Sequence, residues 1–161
     1  LSNIENKALP WRFNALMAGP VQVVLISCIP MAQLGQRDMS NDLQIYDAVL
    51  TDRGSKYAVS GAPARTKTDA LAVIKQLTRD KKFAKATHNT WAMISSDHGP
   101  IKNDDGESGA GMVIVRMLER ENLVDHVIVV TRWFGGTHLG GDRFRRVQDC
   151  VRHYLDHRKL D

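Results

Sequence analysis

The chain has 161 residues, 43% of them hydrophobic and 25% charged, the ordinary composition of a globular protein, which leaves room for one domain with a short extra segment. A formal net charge of +4 does not by itself mark a nucleic-acid binder, because only the placement of charge discriminates. The two cysteines, Cys28 and Cys150, sit in apolar surroundings outside any CxxC pattern, which excludes a disulfide scaffold and predicts buried free thiols in a reducing compartment.

Residues 1–44 mix apolar patches with Pro10, Pro20 and Pro30 and read as an N-terminal extension and linker. Val21–Ile26 is a candidate strand or packing segment, and Gln33–Gln44 a polar linker. The prolines break the apolar stretch 15–34 well short of the ~20 residues that a membrane span needs. Leu rather than Met at position 1 implies a processed or truncated N-terminus. From Ile45 to the end, residues 45–161 alternate strands and helices as one domain. Ile45–Leu50 and Lys56–Ser60 are predicted strands, joined by a turn in which Gly54 is free to take positive φ. Thr66–Lys82 is a predicted helix capped by Thr66 or Thr68, with Ala70, Val73, Ile74 and Leu77 at helical spacing. Thr87–Ser95 is a strand and Asp97–Glu107 a loop. Ala110–Glu121 is a helix, buried through Met112, Val115, Met117 and Leu118. Val127–Thr131 has four consecutive β-branched residues, the pattern of a strand covered on both faces. Phe144–His157 is the last helix, with Phe144, Val147, Val151, Tyr154 and Leu155 on one side. This order predicts a two-layer α+β fold, with helices on one face of a mixed sheet.

Four stretches carry candidate chemistry. After Val130 the chain turns through Gly135-Gly136 and Gly140-Gly141, where glycine permits positive φ or close approach of another group. Asp142 stands at the expected N-cap of the last helix, whose free amides favour anions. Arg132, Arg143, Arg145 and Arg146 crowd the same region, yet neither GxGxxG nor a P-loop is present, so a rigid turn and a binding surface are both open. The second stretch, Arg132–Lys159, holds seven Arg/Lys against three Asp, which equals the net charge of the chain. It is a candidate polyanion-binding face, with RNA as the first ligand. The solvated alternative pairs Asp149 with Arg145 or Arg152. Third, Lys85, Thr87 and His88 enter a strand and could bind a ligand or merely satisfy backbone groups. Fourth, Asp104, Asp105, Gly106, Glu107 and Ser108 precede a helix. Helix capping and dipole complementation explain them better than an acid–base or metal site. The histidines lack zinc-site spacing and the acidic loop lacks EF-hand spacing, so no metal or cofactor is expected.

In order, the Gly54-Ser55-Lys56-Tyr57 turn, KATHN, DDGESGAG and VVTRWFGGTHLGGDRF resemble the conserved domain of the IMPACT (UPF0029) family, over about Leu50 to Leu155. The Arg-Trp-Phe-Gly-Gly, Leu139-Gly140 and Asp142-Arg143-Phe144 string is closer to its eukaryotic branch than to its bacterial, YigZ-type branch. The resemblance implies a ribosomal-protein-S5-domain-2-like fold and no established catalytic residues. It implies a cytoplasmic, non-catalytic regulator of translation that acts on a protein partner or the ribosome. Eukaryotic members bind the activator of the amino-acid-starvation kinase, restrain phosphorylation of an initiation factor and are linked to actin. That role rests largely on a preceding RWD domain, for which residues 1–44 are too short. The alternatives are an RNA- or ribosome-binding subunit of a larger ribonucleoprotein and, last, a small hydrolase using His88 with Asp105 or Glu107. On this reading the candidate binding residues are Lys85, Thr87, His88, Arg132, Gly135, Gly136, Leu139, Gly140, Asp142, Arg143, Arg145 and Arg146.

Overall fold

A computed structural model describes residues 42–159. Val21–Ile26, Cys28 and nearly all of the 1–44 extension lie outside the described residues. The first two strands, β1 (Gln44–Asp52) and β2 (Ser55–Pro63), form a hairpin closed by Arg53 and Gly54. Both turn residues have positive φ (46° and 82°), the two-residue geometry that matches the twist of paired strands. Helix α1 (Lys67–Leu77) begins with a reciprocal cap. The Thr66 hydroxyl accepts from the Asp69 amide, and the Asp69 carboxylate accepts from the Thr66 amide. The predicted helix to Lys82 is interrupted. The Thr78 hydroxyl folds back on the Ile74 carbonyl, and the Asp80 carboxylate caps a separate short helix α2 (Lys81–Ala84).

Strand β3 (His88–Ser95) pairs with β4 (Gly99–Asn103), which occupies part of the predicted 97–107 loop. Pro100, Lys102 and Asn103 hide it from propensity, but these are residues an edge strand accommodates. Helix α3 (Ala110–Arg120), strand β5 (His126–Trp133) and helix α4 (Asp142–His157) complete the order. In α3 the buried side is Ala110, Gly111, Ile114, Val115 and Leu118, whereas Met112 is 39% exposed.

The fold is α+β. Its five strands run in the order β1-β2-β5-β3-β4, and α3 and α4 pack on one face. All four pairings are antiparallel, where a mixed sheet was expected, because every crossover places its next strand against a neighbour of opposite direction. Central β5 is covered on both faces. Ile128 and Val130 join Tyr57, Val59, Ile114, Leu118 and Val151 under α3 and α4. Val127 and Val129 join Ala58, Trp91, Met93 and the apolar sides of α1 and α2 on the other face. Helices α3 and α4 run side by side in the same direction. Arg143 reaches the Ser108 carbonyl at one end, while Met117 and Arg120 share a cavity with Arg152 and Leu155 at the other.

Cys150 is buried and free, and burial pushes its thiol up to about 12. Tyr154 fills the space over Gly61, where a Cβ would come within 2.6 Å of its ring, and its hydroxyl lies 2.7 Å from His126 Nε2. Burial, reinforced by Arg158, pushes His126 down from 6.5 to about 4. As pH falls, the unfolded chain therefore takes up this proton first. The site contributes stability above pH 6.5 and loses it progressively toward pH 4. The expected loss is about 3 kcal/mol at ~1.4 kcal/mol per pH unit. Urea unfolding across that window should show the slope in the wild type and not in His126→Asn.

Candidate functional site

Tyr57, Arg132 and His88 lie in register across β2, β5 and β3, on the face covered by α3 and α4. Arg132 and Glu107 are each only 5% exposed and form a buried ion pair through Nη1. Arg132 Nη2 donates to Ser55 Oγ at 3.3 Å, and the guanidinium sits 5.6 Å from the Tyr57 ring and 5.7 Å from the Phe134 ring. Its Nε and the Tyr57 hydroxyl are buried without a hydrogen-bond partner among the described residues. Burial pushes Tyr57 up to about 12 although Arg132 acts in the opposite sense.

The acidic loop is committed to backbone. Asp104 accepts from the amides of Gly109 (3.0 Å) and Gly111 (2.8 Å) and so caps α3 from a distance. Burial raises its pKa, but these two amides and Lys102 outweigh burial and hold it below the ordinary carboxylate value. The N-cap position itself is Gly109, with φ of 88°, and not Ser108 or Glu107. Only Asp104 is placed to reach the orphan amides, since Glu107 is taken by Arg132. The Asp105 carboxylate accepts from the Asn89 amide at 2.6 Å, and its carbonyl lies 2.8 Å from His88 Nδ1. A carbonyl can only accept, so Nδ1 carries the proton, and in the neutral ring Nε2 is then an acceptor. Gly106, at φ of 84°, packs beneath this ring.

The loop after β5 is anchored at several points. The Phe134 amide donates to Thr87 Oγ1 (2.9 Å) and the Gly135 amide to Ser55 Oγ (3.3 Å). Gly136 and Gly140 take positive φ, 88° and 55°. Leu139 is buried in the core beneath α3 and α4. Asp142 is not the N-cap of α4. Gly141 occupies that position without a side-chain bond, and Asp142 is drawn off to Arg53 at 2.6 Å.

These contacts divide the predicted site residues. Thr87, His88, Arg132, Leu139, Gly140 and Arg143 come together around a cavity of about 250 Å³, joined by Phe134 and His138. Neither of these two was a candidate, because a lone aromatic and a lone histidine in a polar turn give no periodic signal. Lys85 is exposed at the end of α2 and does not line this cavity. Arg146 is held between Asp52 (3.0 Å) and Asp149 (2.9 Å). Arg145 is exposed with no acidic partner among the described residues, and Asp149 takes Arg152 at 4.0 Å as its second partner. Arg143 donates to the carbonyls of Gly140 and Ser108, and its guanidinium stacks 4.4 Å from the Phe144 ring. Among the described residues no cluster of three or more metal-ligating side chains is present, and no helix is long and apolar enough to cross a membrane.

The site falls inside the segment 53–155 that matches the Impact N-terminal domain family. Protein IMPACT homolog of Caenorhabditis elegans is 37% identical, over 94% of this chain and 65% of its own length. Protein IMPACT of Bos taurus is 36% identical, over 66% of this chain and 35% of its own length. This chain thus spans less than two thirds of either relative. A crystal structure of a hypothetical protein superposes with a TM-score of 0.61 at 19% identity, covering 74% of this chain and 63% of that one, a likeness of fold.

Proposed function

The chain belongs to the IMPACT family, and from that premise we propose that it is a non-catalytic binding domain in the regulation of translation. Its partner is a translation-related protein or the ribosome, and its compartment is the cytoplasm. The observation that carries this reading is the family match over residues 53–155, which takes in the glycine turn and the whole cavity beside it. The unit that acts is residues 45–161, with 1–44 as an extension to it. The arrangement of polar groups supports binding over catalysis. Asp104, Asp105 and Glu107 are all engaged, by amides or by Arg132, and the hydroxyl that shares the His88 cavity, that of Thr87, accepts from the Phe134 amide. The finer reading places the chain in the amino-acid-starvation kinase pathway.

The test is sedimentation of the purified chain with ribosomes through a sucrose cushion, paired with initiation-factor phosphorylation in starved cells that overproduce it. Co-sedimentation, or a fall in phosphorylation, is expected. A chain that stays in the supernatant and leaves phosphorylation unchanged would remove the translation reading.

A further inference from the structure

Phe134 stands where two cavities meet. A cavity of about 500 Å³ is walled by Lys56, Lys82 and Trp133, among others, and one of about 250 Å³ by His88, His138 and Arg143. Phe134 lines both, is 41% exposed, and meets the His138 ring at 5.3 Å. Lys82 is neutralised by Asp47 and lies over the Trp133 ring. Lys56 is different. It is exposed, with no acidic partner among the described residues. Arg143 bonds to backbone carbonyls and lies over the Phe144 ring, and it too has no acidic partner among the described residues. His88 adds an acceptor at Nε2.

Uncompensated cations on either side of exposed aromatic rings are how proteins hold single strands, because every base has a face to stack and every linkage a charge. A phosphopeptide site would instead gather its cations around one point. Here they are separated by Phe134. We propose that single-stranded RNA lies across Phe134, with bases stacked on the exposed Phe134–His138 pair. Flanking phosphates meet Lys56 and Arg143, and His88 Nε2 accepts from a base N–H or a ribose hydroxyl. RNA is chosen over DNA because this proposal rests on the translation reading. It moves the RNA contact from the outer face of α4 to the end of β5.

The experiment is fluorescence anisotropy of a labelled twelve-nucleotide uridine RNA with the full chain at two salt concentrations. Phe134→Ala removes an exposed ring, so the fold should survive, as a thermal melt will verify. It is expected to weaken binding about tenfold. Lys56→Gln and Arg143→Gln should each make the salt dependence shallower by about 0.7 in log–log slope. Arg145→Gln with Arg152→Gln, on α4, should leave the affinity of the track intact. Four results would overturn the proposal: no RNA binding at low salt, equal affinity in wild type and Phe134→Ala, loss confined to the α4 variant, or tighter binding of a phosphoserine peptide. Ribosome sedimentation that persists while RNA binding is absent would remove the track and leave the translation reading standing.

Discussion

Replacing Glu107 with alanine is expected to destabilise the fold by about 3–5 kcal/mol, because it strands a buried guanidinium. Arg132 lies near the C-terminal end of the central strand, and Glu107 comes from the loop before α3, so the pair ties the sheet to the start of that helix. At 5% exposure neither charge can be rehydrated without opening the structure. With the carboxylate gone, Nη1 joins Nε as an unpaired buried donor, and only Ser55 Oγ and two aromatic rings remain around the charge. A buried ion pair is not the same as a net stabiliser, since desolvation of both partners offsets much of their attraction. The double variant Glu107→Leu with Arg132→Met should therefore recover most of the loss. Urea denaturation of wild type, Glu107→Ala and the double variant makes the comparison. A single-variant loss below about 1 kcal/mol would mean that the pair behaves as an exposed one.

The legible and illegible parts of this chain differ in how local their causes are. The β-branched run Val127–Val130 showed a strand covered on both faces, and apolar spacing placed α3 and the body of α4, because these signals repeat within one element. The break between α1 and α2 depends on whether Asp80 caps a new helix or sits on the surface of a continuing one, which only the packing of Phe83 against Trp133 decides. Strand β4 escaped notice because an edge strand with Pro100 at its start has almost no propensity signal of its own. At the candidate site, sequence located the glycine turn, Thr87-His88 and the acidic loop, three segments far apart in the chain. It did not show that Arg132 would spend its charge on Glu107 and Arg146 on Asp52 and Asp149. Pairing of that kind depends on which strand neighbours which, and the crossover that sets β5 between β2 and β3 is not written in any one segment. The basic count of residues 132–159 therefore overstated the free charge on α4.

Gly135→Ala is expected to be the most damaging single-methyl change in the turn, with a loss of about 3 kcal/mol or more. The density of glycines after β5 points to constrained backbone, but the constraint is not the same at each. Gly136 and Gly140 have positive φ and open space around them, so a Cβ there meets only the intrinsic left-handed penalty, about 1–2 kcal/mol. Gly135 lies against the β1–β2 hairpin. A Cβ built on it would come within 1.9 Å of the Gly54 carbonyl carbon and 2.2 Å of the Ser55 nitrogen. Both contacts are backbone, so no side chain can swing aside, and either the hairpin turn or the loop must move. That movement would also break the bond from the Gly135 amide to Ser55 Oγ, the same hydroxyl that receives Arg132. Thermal and urea unfolding should rank the variants Gly135→Ala well below Gly136→Ala, with Gly136→Ala somewhat below wild type. If Gly135→Ala unfolded no earlier than Gly136→Ala, the contact between the hairpin and the loop could not be the tight one described.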